Sequence, residues 1–239
     1  MDSFEKLKDK YKGKRIVLAY SGGIDSLVLA ILLSEVANIL NVFIKTPYIS
    51  NYSLKNAIRL AEKYKLNLRV ININEIIKND EYRCYYCKKM FFETLNEIKD
   101  TENHDLVVDG TNYDDIFEDR KGLKAKEELN VVSPYVEFKI RKRDILDYAK
   151  NNNIEIPPKE TCLLTRFYRE VDLEDIKKVE ILEEFLRNFT EGAIRLRDYI
   201  DYCILEVEYP EDIFKNRDKI LNHLKKYYKK VLLNLEKYQ

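Results

Sequence analysis

One short segment near the amino terminus constrains the fold more than any other feature of the chain. The run Arg15–Ala19 predicts a buried strand, the turn Tyr20-Ser21-Gly22-Gly23 follows it directly, and the apolar stretch Leu27–Val36 predicts a helix. A buried strand, a glycine-rich turn and a helix form the opening of a βαβ unit. The chain is therefore predicted to build a parallel sheet with helices on both faces.

The alternation of strands and helices continues well beyond this segment. Further strands are predicted at 42–44, 68–73, 105–109 and 131–132, and helices over 54–64, 88–98 and 142–150. The pattern changes after Pro157-Pro158, where helix 173–189, strands 193–198 and 202–207 and a final helix from Glu211 toward Tyr238 are predicted. We therefore expect an α/β domain over residues 1–156 and a small α+β domain over 157–239.

The turn after the first strand carries a pattern typical of phosphate binding. Backbone amides of Ser21-Gly22-Gly23 at the start of a helix would form a nest of N–H donors, and glycine permits the close approach. Ser21 and Ser26 add hydroxyl donors, while Asp25 is placed to anchor the loop or to reach Mg²⁺. A helix-capping turn explains Asp25 and Ser26 but not the paired glycines. The segment is not a Walker A motif, because no Gly-Lys-Ser/Thr follows it.

The four cysteines point to metal or redox chemistry. Cys84-Tyr85-Tyr86-Cys87 is a CxxC turn, which lets two thiolates converge on one metal or form a redox pair. Only a third thiol brought close by folding would make this turn a metal site. Cys203 lies in the apolar run 202–205 and is expected to be a core thiol. A structural zinc bound by all four thiols is the alternative.

Composition excludes several classes of protein. With 42 Lys+Arg against 42 Asp+Glu and a net charge of zero, the chain is neither a strongly basic nucleic-acid binder nor an acidic tail protein. A hydrophobic content of 45% argues against disorder, and no apolar run reaches the length of a membrane span. The amino terminus has no secretion signal, so we expect a cytoplasmic protein.

Other polar residues are candidates for ligand binding. Arginine offers bidentate donors to phosphate or carboxylate groups, and residues at the carboxyl end of a buried strand are placed to meet a nucleotide. The candidates are Arg166, Arg195 and Arg197, with Glu183 and Glu206 as weaker ones, and Asp109, Gly110, Thr111 and Asn112 at the strand end. Solvated arginines and a plain Asp-Gly turn are the alternative interpretations.

The SGGxDS string over Ser21–Ser26 resembles the loop of the PP-loop ATP pyrophosphatase superfamily, with its adenine nucleotide alpha hydrolase-like fold. Further strings occur in the order seen in LarE-type sulfur transferases: Arg83–Lys88, Asp109–Asp115, Val132–Pro134, Thr161–Arg166, Arg195–Arg197 and Glu206. The resemblance implies that ATP with Mg²⁺ binds at Ser21, Gly22, Gly23, Asp25, Ser26, Gly110, Thr111 and Asn112, in an adenylation domain. It further implies that Arg166, Arg195, Arg197, Glu183 and Glu206 bind the substrate, in a second domain that also serves oligomerisation.

Such enzymes adenylate a carboxylate of a pyridinium mononucleotide, for a nickel-pincer cofactor, and replace AMP with sulfur. One branch gives up the sulfur of a cysteine at the position of Cys162, and a second holds a 4Fe-4S cluster on three cysteines. Because Cys84 and Cys87 accompany Cys162, the chain resembles the second branch. The resemblance then implies that Cys162 and Asp25 are catalytic and that an open iron carries hydrosulfide.

The expected partners are a small anionic nucleotide-like substrate, sulfide or another sulfur donor, and further copies of the chain in a homo-oligomer. Two alternatives stay open. One is a tRNA uridine thiolation enzyme that uses the same two steps, although zero net charge and the lack of paired zinc-finger motifs argue against it. The other is a non-catalytic nucleotide-binding protein with a structural zinc.

Overall fold

The computed structural model describes residues 2–75, 77–118, 121–236 and 238, but not the side chains of residues 121 and 123. The chain forms two compact units. Unit 1 comprises Met1–Thr46 and Ser53–Pro157, and unit 2 comprises Pro47–Tyr52 and Pro158–Gln239. A short segment from the first third of the chain is therefore part of the carboxyl-terminal unit.

Unit 1 is built on a four-stranded parallel sheet. Its strands are Arg15–Ala19 (β1), Asn38–Lys45 (β2), Leu68–Asn72 (β3) and Leu106–Asp109 (β4), in the order β3-β2-β1-β4. Its helices are Ser3–Tyr11 (α1), Ile24–Ser34 (α2), Asn51–Lys63 (α3, which starts in unit 2), Arg83–Thr101 (α4), Lys121–Glu128 (α5), Pro134–Glu137 (α6) and Lys142–Asn151 (α7). Since all four strands are parallel, their carboxyl ends share one edge, where β1 leads into the glycine-rich turn.

The apolar periodicity of the strands and helices produces the core of unit 1. Val17 of β1, Val42 of β2 and Val107 of β4 pack with Phe92 and Leu95 of α4, all of them buried. Both faces of β1 are covered, because its neighbours Ile16 and Leu18 on the opposite face are fully buried as well. The predicted α/β fold with flanking helices is confirmed.

Unit 2 has a mixed three-stranded sheet. Strand Ile194–Asp198 (β5) is antiparallel to Tyr202–Val207 (β6), which is parallel to Lys230–Leu233 (β7). The helices are Leu173–Leu186 (α8), Pro210–Lys215 (α9) and Arg217–Leu224 (α10), and a 3-10 turn spans Leu163–Arg166. Asp172 caps α8, because its carboxylate accepts hydrogen bonds from the amides of Glu174 and Asp175.

Two local predictions need correction. The final helix predicted from Glu211 toward Tyr238 is wrong: the segment forms α9, α10 and β7. The apolar run Val231-Leu232-Leu233 fits a helix or a strand equally well by periodicity, and its pairing with β6 decides the outcome. The strand predicted at Val131-Val132 is reduced to one bridge between Val132 and Val108. Among the described helices, none combines the length and apolar character that crossing a membrane requires.

Candidate functional site

The glycine-rich turn lies at the carboxyl edge of the unit 1 sheet, directly against α3. Gly22 has a φ of 74°, in the left-handed region that favours glycine. A Cβ atom on Gly22 would lie 2.8 Å from the Cβ of Ala57 and 2.9 Å from its Cα. Backbone conformation and close packing therefore both require glycine at this position.

Two serines hold the turn in shape. The hydroxyl of Ser26 accepts from the amide of Ser21 at 3.2 Å and donates to the carbonyl of Gly23 at 3.0 Å. The hydroxyl of Ser21 accepts from the amide of Gly23 at 3.3 Å. Gly23 caps α2 without any side-chain acceptor. Because glycine has no side chain, the N-cap residue itself supplies no acceptor to the first-turn amides of α2, an arrangement that suits anion binding at a helix amino terminus.

A second turn, after β4, packs against this loop. A Cβ atom on Gly110 would lie 3.0 Å from the amide nitrogen of Ser26, so glycine lets the two turns touch. The buried carboxylate of Asp109 accepts hydrogen bonds from the hydroxyls of Ser133 and Thr111, each at 2.5 Å. The structure therefore brings Gly110 and Thr111 to the same sheet edge as the glycine-rich turn.

Asn112 has a structural task in the turn that follows. Its side-chain oxygen accepts from the amide of Asp114 at 2.9 Å and from that of Asp115 at 3.3 Å. The side chain is buried, and it shapes the turn through contacts with its own backbone neighbours. A direct contact between Asn112 and ATP stays a prediction.

Asp25 is tied to α7 by a residue that the sequence analysis missed. Lys142 donates to both carboxylate oxygens of Asp25, each at 2.8 Å. The hydroxyl of the buried Tyr135 donates to the Asp25 carbonyl at 3.1 Å. These contacts fix the first turn of α2 from two sides. One signal was available in the sequence: Arg141, Lys142 and Arg143 crowd the start of a helix, where the helix dipole disfavours cations.

The CxxC cysteines lie in the first turn of α4, within unit 1. Cys84 is exposed and Cys87 is half-buried. Residues three apart on a helix share a face, so these two thiols point in related directions. Gly122 of α5 packs on this turn, because a Cβ atom there would be 3.5 Å from the carbonyl oxygen of Cys84.

In unit 2, Arg166 and Glu183 form a buried ion pair. The guanidinium donates from Nε and Nη2 to the two carboxylate oxygens of Glu183, at 2.8 and 3.1 Å. Glu183 also accepts from the amide of Leu196 on β5, at 2.8 Å. Burial acts to lower the pKa of Arg166, but the charge and hydrogen bonds of Glu183, with smaller contributions from Glu160 and Cys162, raise it overall. This pair links the 3-10 turn, α8 and β5.

The same arginine holds the segment that contains Cys162. Its Nη1 donates to the hydroxyl of Thr161 at 2.6 Å and to that of Thr165 at 3.1 Å. Cys162 precedes the 3-10 turn and is half-buried. Since all three guanidinium nitrogens of Arg166 meet protein acceptors, the geometry supports a role in shaping this turn. Substrate binding by Arg166 and Glu183 stays a prediction.

Arg195 and Arg197 share one face of β5 but differ in their partners. Arg197 donates to Glu206 at 2.9 Å and to the carbonyl of Thr165 at 2.5 Å. Arg195 is buried, and its side chain makes no hydrogen bond or ion pair with the residues that the structure describes. It stacks on the ring of Tyr238 at 4.0 Å, and burial lowers its pKa. A buried guanidinium without an acidic partner is a ready site for an anion.

The four cysteines are all described, and none is in a disulfide. Cys203 is fully buried, and burial raises the pKa of its thiol to about 12. Over the described ranges, no group of three or more His, Cys, Asp and Glu side chains is placed to hold a metal ion. A cluster on three cysteines therefore stays a prediction.

Comparison with known proteins gives matches over part and over nearly all of the chain. The NAD synthase family pattern matches residues 1–98. An uncharacterized protein of Methanocaldococcus jannaschii is 60% identical over 239 residues, which cover 98% of this chain and 94% of that protein.

Other relatives carry enzyme names. The pyridinium-3,5-bisthiocarboxylic acid mononucleotide synthase of Lactiplantibacillus plantarum is 30% identical over 210 residues, which cover 83% of this chain and 75% of the synthase. The glutamine-hydrolyzing GMP synthase of Borrelia garinii is 28% identical over 159 residues, which cover 56% of this chain and 30% of that enzyme.

Proposed function

The chain belongs to the PP-loop ATP pyrophosphatases, in the family of the pyridinium-3,5-bisthiocarboxylic acid mononucleotide synthase, and we propose that it is an ATP-dependent sulfur transferase. Its substrate is a carboxylate of a pyridinium mononucleotide. The observation that carries this proposal is the loop between β1 and α2, in which Gly22 packs on Ala57 and the N-cap residue Gly23 supplies no side-chain acceptor to the first turn of α2. That loop is suited to bind the pyrophosphate part of ATP.

The first step is adenylation of the substrate. A carboxylate oxygen attacks the α-phosphorus of ATP, the bond from that phosphorus to the bridging oxygen breaks, and pyrophosphate leaves with the electron pair. The amides at the amino terminus of α2 stabilise the charge on the departing pyrophosphate, as helix amino termini do for developing anions. Asp25 acts by anchoring the loop to Lys142, and Gly110, Thr111 and Asn112 form the facing turn.

The second step replaces AMP with sulfur. A sulfur nucleophile attacks the acyl carbon, a C–S bond forms, and the C–O bond to AMP breaks. We propose that Cys84, Cys87 and Cys162 would hold a 4Fe-4S cluster, which when bound would supply the sulfur nucleophile, since a cube on three thiolates would have one iron without a protein ligand. The fit rests on the donor type and on the two thiols that share the first turn of α4.

The substrate side of the proposal rests on unit 2. Arg195 offers a buried guanidinium to an anionic group of the substrate, while Arg197 and Glu206 form an adjoining ion pair. Arg166 and Glu183 position the turn that carries Cys162. In this assignment Arg166 and Arg197, which the structure pairs with glutamate, orient the site. Arg195, which has no acidic partner within the described part of the chain, binds the ligand.

Exchange of labelled pyrophosphate into ATP tests the first step. We expect exchange only when a pyridinium carboxylate such as nicotinic acid mononucleotide is present. Exchange that depends on tRNA instead would favour uridine thiolation. The absence of exchange with either substrate would refute adenylation and leave a nucleotide-binding protein.

Metal analysis after anaerobic reconstitution with iron and sulfide tests the second step. We expect about four iron and four sulfide per chain. Cys84→Ala, Cys87→Ala and Cys162→Ala should each lose them, while Cys203→Ala serves as the matched control and retains them. Zinc bound stoichiometrically without iron would refute the cluster.

A further inference from the structure

The sheet of unit 2 has one buried face and one partly open face. Leu196 on β5 and Leu205 on β6 lie on the buried face. Directly opposed residues of paired strands point to the same side, so the register assigns the other face. On it lie Arg195, Arg197, Ile204, Glu206, Tyr202 and Lys230.

Three tyrosines form a stack at the hairpin end of this open face. The rings of Tyr199 and Tyr202 are 4.7 Å apart and 4° from parallel, and those of Tyr168 and Tyr199 are 5.0 Å apart and 18° from parallel. A hydrogen bond with Tyr168 raises the pKa of Tyr199 to about 12. Tyr199 is the middle ring, and Tyr168 ends the stack with 68% of its surface exposed.

The backbone around the stack is held in an unusual conformation. Ile200, between the two strands, has a φ of 69°, which a β-branched residue rarely adopts. Its side chain is exposed, so burial does not compensate for the strain. The Asp198 carboxylate holds this turn, because it accepts from the amide of Ile200 at 3.0 Å and from the hydroxyl of Tyr228 at 2.8 Å. Strain that the surrounding contacts maintain is typical of binding sites.

Charge on the open face favours an anionic ligand. Arg195, Arg197 and Lys230 carry three positive charges, and Glu206 carries one negative charge, so the face has a net charge of +2 from its own side chains. Arg195 and Tyr199 are four residues apart, about 13 Å of extended chain, a span that an arginine side chain and a mononucleotide can cover together. A cationic end and an aromatic end therefore lie on one surface.

We propose that the stack of Tyr168, Tyr199 and Tyr202 binds the planar ring of a mononucleotide whose phosphate or carboxylate reaches Arg195. This inference rests on the proposed function and deepens it, since it assigns the part of unit 2 that recognises the ring. Tyr168 presents the exposed ring on which the ligand stacks. Stacking on aromatic side chains is how proteins bind bases and similar rings without reading their edges.

Equilibrium dialysis with nicotinic acid mononucleotide tests the proposal, with a non-hydrolysable ATP analogue occupying the loop at saturation. Tyr168→Ala should weaken binding about 5- to 100-fold, the range expected for one lost stacking partner. Tyr168→Phe keeps the ring and should bind within about twofold of the original chain. Phe214→Ala is the matched control, because Phe214 is 66% exposed in the same unit and should not affect binding. Ribose 5-phosphate, which lacks the ring, should bind all four proteins alike.

Several results would overturn the proposal. Unchanged affinity of Tyr168→Ala for the mononucleotide, or an equal loss of ribose 5-phosphate binding, would show that the ring is not recognised here. Binding of an RNA oligonucleotide but not of the mononucleotide would make the face a nucleic-acid surface. A changed oligomeric state without changed affinity would make it an interface between copies. Pyrophosphate exchange is measured separately. If ring binding depends on Tyr168 but no exchange is observed, adenylation is refuted and the ring-binding site is not.

Discussion

Gly22→Ala tests the central argument about the phosphate loop. The new methyl group would meet the Cβ of Ala57 at 2.8 Å and its Cα at 2.9 Å, and the second contact is with backbone that a rotamer change does not relieve. A left-handed φ costs an alanine about 1–2 kcal/mol, and overpacking of this kind costs about 1–3 kcal/mol more. The loop is expected to shift away from α3 and lose its arrangement of amides.

Gly13→Ala separates the two costs. Gly13 has nearly the same φ, 75° against 74° at Gly22, but no atom lies within 4 Å of the position of its new Cβ. The cost of the left-handed φ and the unfolded-state entropy effect therefore cancel between the two variants. The free energy of unfolding should differ between them by the clash alone, about 1–3 kcal/mol.

Urea denaturation and pyrophosphate exchange measure the two consequences. We expect Gly13→Ala to keep its exchange activity and Gly22→Ala to lose at least about 100-fold, since the displaced amides no longer meet the pyrophosphate. Equal destabilisation of the two variants would refute the packing argument. Full exchange activity in Gly22→Ala would refute the assignment of the loop.

Three further predictions follow from burial and charge. With a pKa of about 12, only about one Cys203 thiol in 10⁴ is ionised at pH 8. Iodoacetamide should therefore label the exposed Cys84 of the native metal-free protein and spare Cys203, which mass spectrometry measures. Cations of α3 lower the pKa of Glu155 from 4.5 to about 2. The ionised carboxylate therefore stabilises the fold above pH 4.5, and this contribution is lost as the pH falls toward 2. The difference in unfolding free energy between the original chain and Glu155→Gln should shrink over that range. Glu183→Gln leaves Arg166 uncompensated and should cost about 3–5 kcal/mol in urea unfolding, whereas replacing both residues by apolar ones should cost less.

The fold could be predicted where a short segment of sequence is enough to determine its own secondary structure. The apolar run of β1, the glycine pair and the helix after it determine the loop without reference to distant residues. The end of the chain could not be predicted in this way. Val231-Leu232-Leu233 becomes a strand only because β6 offers a partner, and this pairing joins residues about 28 positions apart, such as Cys203 and Val231.

The candidate site also combines local contacts, which the sequence predicts, with contacts between distant residues, which it does not. Ser21, Gly22, Gly23 and Ser26 share one short motif, so their proximity follows from the sequence. The ion pair of Asp25 with Lys142 spans 117 positions, and no local pattern states which cation meets that carboxylate. The stack of Tyr168, Tyr199 and Tyr202 is likewise assembled by the bridge between Phe167 and Asp198.

Arg166 and Arg195 show why residue type alone does not assign a function. Both are buried arginines of unit 2, and both fit an anion clamp by chemistry. Glu183 accepts from two nitrogens of Arg166, so an incoming anion would have to displace a carboxylate that is already desolvated. Arg195 has already been removed from water without gaining an acidic partner among the residues that the structure describes, so an anionic ligand there would supply the missing compensation. The acidic partner, rather than the arginine itself, is therefore the ground on which we propose Arg195 as a binding residue and Arg166 as a positioning residue.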